Sequence, residues 1–101
     1  MKSCYTKLLS PVRSAVLDNC DYYGIGRIIT RVNVPKEFRG KGVASQLLDE
    51  CCKDADNEQV ILYLEISPSD GLGYDELEAF YMRRNFKRWK GLYRRRPNTR
   101  N

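Results

Sequence analysis

The sequence predicts an α/β domain with a mixed central β-sheet and flanking helices. An apolar strand pattern in residues 26–34 leads through a turn-rich loop into a helical stripe, and a second apolar run follows at residues 60–66. This strand–helix–strand order gives parallel neighbours in a sheet. A hairpin predicted around Lys90-Gly91 adds antiparallel neighbours, so the sheet is expected to be mixed.

The length of 101 residues is that of one domain, so we expect residues 1–101 to form a single unit, with residues 96–101 as a frayed tail. The apolar fraction of 42% and the charged fraction of 31% are ordinary for a globular protein. No apolar run is long enough for export or membrane insertion. These features predict a cytoplasmic protein without membrane contact, either a monomer or a homodimer.

Alternation in the first of these strands is expected to place Ile28, Thr30 and Val32 on one face, together with Val34, and Ile29 on the other. Pro35 ends this strand. The helix that follows Gly42 is recognised by an apolar stripe, and its members are Val43, Ala44, Leu47, Leu48, Cys51 and Ala55.

A second helix is expected to begin at Asp75, which is spaced from Glu78 as in a capping box, and to end at Asn85 in a left-handed cap. Short antiparallel strands are expected at residues 5–9 and 12–17, on either side of a turn. These elements complete the predicted order of the chain.

The net charge of +5 is concentrated at the C-terminal end. Residues 83–101 hold nine Lys and Arg and no acid, interleaved with Phe86, Trp89 and Tyr93. Such a surface attracts nucleic acid or an acidic partner through counterion release and stacking. The alternative is a solvated hairpin whose aromatic side chains complete the core.

The four cysteines, Cys4, Cys20, Cys51 and Cys52, have neither the spacing of a secreted disulfide framework nor that of a zinc site. The sequence contains no histidine. We therefore expect no metal site and no histidine-dependent catalysis.

The loop before the first helix has the composition of an anion site. The first turn of a helix presents N–H groups without intrahelical partners, and glycine lets a ligand approach them closely. Gly40 and Gly42 satisfy this requirement, while Arg39 and Lys41 add positive charge. The dinucleotide fingerprint and the Walker A pattern are both absent, and a solvated, glycine-rich helix start is the alternative.

The segment Arg39-x-x-Gly42-x-Ala44 resembles the R/Q-x-x-G-x-G/A pattern of the GNAT superfamily of acyl-CoA N-acyltransferases. The resemblance extends over VNVPKEFRGKGVASQLL, LYLEISPSD and AFYMRRNF, which occur in the order of the family's elements within residues 26–89. It implies a GNAT fold with about five to seven strands. It also implies an acetyl-CoA-dependent N-acetyltransferase.

The resemblance also implies how coenzyme A is held. Backbone N–H groups of the loop would bind its pyrophosphate, and the end of the preceding strand would pair with its pantothenate arm. The first group is Arg39, Gly40, Lys41, Gly42, Val43 and Ala44, and the second is Val32, Asn33 and Val34. The side chains of Val32 and Val34 are expected in the core in any case.

Two catalytic residues follow from the same resemblance. Tyr81 stands where the family has a tyrosine that protonates the departing thiolate, although it also fits a buried stripe beside Leu77. Glu65 stands where family members that act on N-terminal amines have a base. As an acid in an otherwise apolar strand it is expected to be desolvated, with a raised pKa, or else to form a buried ion pair with an arginine.

The chain resembles compact, N-terminally truncated members of the family, such as those encoded by phages, because only about 25 residues precede the strand that would hold the cofactor. Asp70 stands where the family often has an asparagine near the cofactor. Family members usually begin with a strand and two helices that wall the acceptor site, so the resemblance implies an open acceptor cleft here. An open cleft favours a macromolecular acceptor, which we expect to be a protein lysine or N-terminal amine, or a cleft that a second subunit completes. The other reading is an inactive binding module that recognises nucleic acid or a partner protein through its basic hairpin.

Overall fold

The computed structural model describes residues 1–67 and 72–98. Within them lie six strands and two α-helices, and the strand order in the single sheet is β1-β2-β3-β4-β6-β5. Only β3 and β4 are parallel, so the predicted mixed α/β sheet is confirmed. The elements are β1 Cys4–Ser10, β2 Arg13–Tyr22, β3 Gly26–Asn33, α1 Val43–Glu58, β4 Leu62–Leu64, α2 Tyr74–Met82, β5 Lys87–Trp89 and β6 Leu92–Arg95.

A bulge in β3 corrects the face assignment made from the sequence. Asn19 of β2 is opposite Ile29, but the preceding Asp18 is opposite Arg31, so Thr30 is an extra residue in β3. The alternation therefore slips by one. Ile29 is buried on the core side, Thr30 is exposed, and Val32 returns to the core side.

Strand β4 is shorter than the apolar run from which it was predicted. Its pairing with β3 consists of three residue pairs and ends at Ile29 opposite Leu64, immediately before the bulge. A bulge bends its strand and increases the local twist. Beyond Leu64 the two chains are no longer paired, and the sheet opens.

Helix α1 begins where the sequence predicts and packs its apolar stripe against β1 and β2. Cys52 joins the stripe, and Ala44 is half-buried at its start. The helix ends at Glu58, after which Gln59 adopts the left-handed conformation with φ of 57°. A hydrogen bond of 2.7 Å from the Tyr5 hydroxyl to Asp54 fixes the helix over β1.

The predicted capping box of α2 is wrong. Gly73 is the N-cap residue and Asp75 lies inside the first turn, with no side-chain capping bond. The Glu78 carboxylate instead accepts hydrogen bonds from Arg88 and from the Tyr93 hydroxyl, because α2 packs beside the terminal hairpin. The left-handed conformation of Asn85 is confirmed, with φ of 69°.

The terminal hairpin follows its prediction closely. Lys90 and Gly91 both have positive φ, 47° and 80°, as a two-residue hairpin turn requires. Phe86 and Tyr93 are buried in the core. Not every cation of this segment is solvated, since Arg95 is buried and forms an ion pair with Asp56 of α1 at 2.8 Å.

The first two strands are joined by a tight turn at residues 11–12, with no helix between them. Both are longer than the sequence pattern indicated. No helix in the described part of the chain is long and apolar enough to cross a membrane. At the other end, Asn98 is held by Asp56 and Gln59, and residues 99–101 lie outside the described ranges.

Candidate functional site

A cleft of about 870 Å³ opens where β3 and β4 separate. One wall is the end of β3, and another is the start of α1. The chain that follows β4 and one face of α2 form the opposite side. The cleft therefore brings together Glu65, Tyr81 and the segment before and at the start of α1, residues 39–44, which we call the glycine loop. These parts lie far apart in the sequence.

The glycine loop presents bare backbone to this cleft. Gly40 and Gly42 have φ of 76° and 78°, a conformation that side chains rarely adopt. A Cβ atom at either position would meet no other atom within 4 Å, so the space beside them is open. Gly42 is the N-cap of α1, and the first turn of that helix contains no acidic residue. These features fit an anion bound to the unpaired N–H groups of Val43 and Ala44.

The two cations of the loop differ in their contacts. Arg39 donates from Nε to the Val34 carbonyl at 2.9 Å, which fastens the loop to the chain just after β3. The Lys41 ammonium lies 5.9 Å from the centre of the Phe38 ring. The Arg39 contact therefore stabilises the position of the loop, and Lys41 is an exposed positive charge beside it.

At the end of β3, some side chains contact both the core and the cleft, and others are exposed. Val32 and Val34 are half-buried against the core and line the cleft, while Asn33 is exposed and opposite Val16 of β2. Among the described residues, the pairing of β3 with β4 ends at Ile29, so the edge of β3 beyond that residue is not paired to β4. One lone pair of the Val34 carbonyl is already used by Arg39.

Tyr81 lies in the middle of the α2 wall. Its ring packs edge-on against Phe80 and Phe86, with centroid distances of 5.1 and 5.7 Å, and the same side chain lines the cleft. Within the described residues its hydroxyl makes no hydrogen bond to another group. Burial raises the pKa of Tyr81 above its ordinary value near 10, which keeps the phenol protonated.

Glu65 differs from the sequence-based expectation. It lies one residue beyond β4 rather than within a buried strand, and its side chain is exposed. The expected desolvation is therefore absent in this state of the protein. The alternative of a buried ion pair is also wrong, since Glu65 is not buried and has no ion-pair partner in the described ranges. Glu65 nevertheless lines the cleft with Tyr81.

Three charged residues of the cleft were missed in the sequence. Arg31 lines it from β3, and Glu76 and Arg83 line it from the α2 side. Glu76 and Arg83 are seven residues apart, which is about two helical turns and hence one face of a helix. That spacing was visible once Tyr81 had been assigned to the same helix. Asp70, which was expected near the cofactor, lies outside the described residues.

Comparisons with known proteins agree with this geometry. The family model for the acetyltransferase (GNAT) family matches residues 14–86. Among solved structures, the crystal structure of the anti-CRISPR protein AcrVA5 aligns with a TM-score of 0.69 at 20% sequence identity. The alignment covers 92% of this chain and 98% of that one, and at this identity it shows a shared fold. A search of curated proteins gives no match.

Proposed function

Because this chain belongs to the GNAT family of acetyltransferases, we propose that it is an acetyl-CoA-dependent N-acetyltransferase. The observation that carries the proposal is the cleft between β3 and β4. It is bordered by a glycine-rich helix start with the chemistry of a pyrophosphate site, and by Tyr81 and Glu65. An anionic cofactor and an acceptor amine can therefore meet in one space.

The residues of the cradle fit coenzyme A. Backbone N–H groups of residues 39–44 would hold the pyrophosphate, helped by the positive end of α1 and by the Lys41 charge. Open space beside Gly40 and Gly42 allows phosphate oxygens to reach the backbone. Val32, Asn33 and Val34 would offer the free edge of β3 to the pantothenate arm.

The proposed chemistry is direct attack of the acceptor amine on the thioester. When bound, acetyl-CoA supplies an activated acetyl group. The amine nitrogen forms the new bond to the acetyl carbon, the bond from that carbon to sulfur breaks, and the thiolate leaves with the electron pair. The Tyr81 hydroxyl donates a proton or a hydrogen bond to this sulfur, and Glu65 or a water that it orients accepts the amine proton.

A proton acceptor matters because an ordinary lysine is almost fully protonated. With a pKa of about 10.4 it is only about 0.1% neutral near pH 7.4, a penalty of about 4 kcal/mol. Glu65 is exposed before substrate enters. From this position the carboxylate can take the amine proton directly or through a water that it orients.

We assign the acceptor to proteins, as a lysine or N-terminal amine. The tight turn between β1 and β2 leaves out the helices that wall the acceptor site in larger members of the family. An open site of this kind accommodates a chain segment presented on a protein surface. Arg31, Arg39 and Arg83 also line the cleft, and Glu65 and Glu76 are the carboxylates in it that would receive a positively charged amine.

Calorimetric titration with acetyl-CoA tests the cofactor assignment. The wild-type protein should bind, and Gly42→Glu should lose binding by at least about a hundredfold, because a side chain and a negative charge enter the cradle. Gly24→Glu is the matched control. Gly24 also has positive φ, 72°, and open surroundings, but it lies in the β2–β3 turn, so this variant should bind like the wild type.

Equal affinity of the Gly42 and Gly24 variants for acetyl-CoA would reject the assignment of the glycine loop as the pyrophosphate site. Absence of binding by the wild-type protein would reject the enzymatic function altogether. The protein would then be a binding module that retains the fold of the family.

A further inference from the structure

A second groove, of about 500 Å³, lies on the far edge of the sheet from β1, beside the terminal hairpin. It shares no lining residue with the cleft between β3 and β4. Its charged residues are all cations among the described residues, and no carboxylate contributes to its wall. The residues that matter here are Lys87, Arg88, Trp89, Arg94 and Arg96.

Most of this positive charge is not neutralised by the protein. Arg88 forms a two-pronged ion pair with Glu78, but Lys87, Arg94 and Arg96 have no carboxylate partner in the described ranges. Lys87 and Arg94 lie directly opposite each other on β5 and β6. Like charges in such a position repel each other. A bound anion would reduce this unfavourable electrostatic free energy.

The groove also holds a flat, polarisable surface. The guanidinium carbon of Arg94 lies 4.9 Å from the centre of the Trp89 ring, and the Lys90 ammonium lies 5.0 Å from it. Tyr63 supports the indole from within the sheet at 5.3 Å. A guanidinium stacked on an aromatic ring offers a planar cation on which a nucleobase can stack.

We propose that this hairpin groove binds single-stranded nucleic acid, with phosphates at Lys87 and Arg96 and a base against the Arg94–Trp89 stack. Unpaired strands combine a charged backbone with exposed base faces, which matches the combination of free cations and a flat ring. An acidic peptide would use the charges but leave the stack without a partner. A duplex keeps its bases covered.

The protein contains one tryptophan, and Trp89 is in the groove, so its fluorescence reports occupancy directly. The full chain is titrated with single-stranded DNA and single-stranded RNA of about 12 nucleotides, with a duplex of the same sequence, and with polyglutamate. We expect quenching by at least one of the single strands, with weaker binding of the duplex and polyglutamate. The tighter of the two single strands shows whether the groove prefers DNA or RNA.

A pair of double variants provides the matched comparison. Lys87→Gln/Arg96→Gln removes two exposed charges of the groove, and Lys36→Gln/Lys53→Gln removes two exposed charges elsewhere. The first should bind roughly tenfold more weakly, and its slope of log affinity against log salt should fall by about 0.7 per contact removed. The second should match the wild type. If the groove variant does not fold, the single Lys87→Gln variant makes the same comparison.

Three results would overturn the proposal. They are no change in Trp89 fluorescence with either single strand, equal affinity in the two double variants, and binding of polyglutamate or duplex as tight as that of the single strands. None of these measurements involves acetyl-CoA, so the proposal stands or fails separately from the proposed enzymatic function.

Discussion

At the scale of single residues, Tyr81 combines two properties because a phenol has an apolar ring and a polar tip. The ring packs against Phe80 and Phe86, while the side chain also lines the cleft. The two interpretations of the sequence, a core residue and a proton donor, are therefore compatible. The same burial that holds the ring also raises the pKa of the hydroxyl.

Tyr81→Phe should lower kcat by roughly 10 to 100-fold and leave the dissociation constant of acetyl-CoA nearly unchanged, since only the proposed donor is removed. In the wild type the activity that depends on this proton should persist until the pH exceeds the ordinary tyrosine pKa near 10, because the pKa of Tyr81 is raised. Steady-state kinetics from neutral to alkaline pH measure both effects.

Tyr74→Phe is the control for this experiment. It removes a hydroxyl from the same helix, but Tyr74 bonds to Tyr93 and does not line the cleft. The proton-donor role is rejected if both variants have wild-type turnover.

Glu65→Gln tests the proposal that the Glu65 carboxylate accepts the proton of the acceptor amine. If the carboxylate accepts the amine proton, this change should lower kcat by roughly 100-fold at neutral pH and abolish the acidic limb of the wild-type pH profile. Glu76→Gln removes a second exposed carboxylate of the same cleft. It should raise KM through weaker attraction of the amine but retain the acidic limb, and the same loss in both variants would contradict a specific role for Glu65.

At the scale of elements, two ion pairs connect α1 to the C-terminal part of the fold in different environments. Asp56 near the end of α1 binds Arg95 of β6, whose side chain is only 5% exposed. Asp49 in the middle of α1 binds Arg84, just after α2. The Arg84 side chain is 16% exposed, more than that of Arg95, and the Asp49 side chain is 63% exposed. A charge left without its partner is costly only where water cannot reach it.

Asp56→Asn should therefore lower the free energy of unfolding by about 3 kcal/mol, because the Arg95 guanidinium remains buried without a counter-charge. Asp49→Asn should cost less than about 1 kcal/mol. Urea denaturation of the two variants measures the difference. Similar losses in both would show that burial of Arg95 does not control the strength of its pair.

At the scale of the whole molecule, the buried residues of α1, Phe86 and most of the buried apolar residues of the sheet belong to one hydrophobic cluster. Cys51 and Cys52 lie within it, whereas Cys4 and Cys20 are exposed. Burial raises the pKa of Cys51 to about 12, with a further contribution from Cys52, and that of Cys52 to about 11. The two buried thiols are protonated and shielded at mild pH.

A thiol-specific reagent at about pH 8 should consequently modify two cysteines per native chain and four after denaturation. If the domain unfolds as one unit, Cys51 and Cys52 should become reactive at the same urea concentration at which circular dichroism changes. Labelling of either residue well before that transition would argue for separate units.

The local features of the fold were accessible from the sequence because they depend on neighbouring residues. The start of α1 follows from Gly42 and an apolar stripe, and the hairpin follows from Lys90-Gly91. The bulge at Thr30 was not accessible, since it arises from pairing with β2 and the slip in alternation that it causes shows only in the register of the two strands. The position of Glu65 was missed for the same reason, as the end of β4 is set by where β3 turns away.

The sequence by itself determined the order of the elements, the glycine cradle and the family, because each rests on residue types at short spacing. Only the tertiary structure decided that the glycine loop, Glu65 and Tyr81 border one cleft, that Arg95 is buried, and that cations of the C-terminal segment line one groove with Trp89. These facts depend on contacts between distant parts of the chain. Such contacts are fixed by strand register and packing, which no short segment specifies alone.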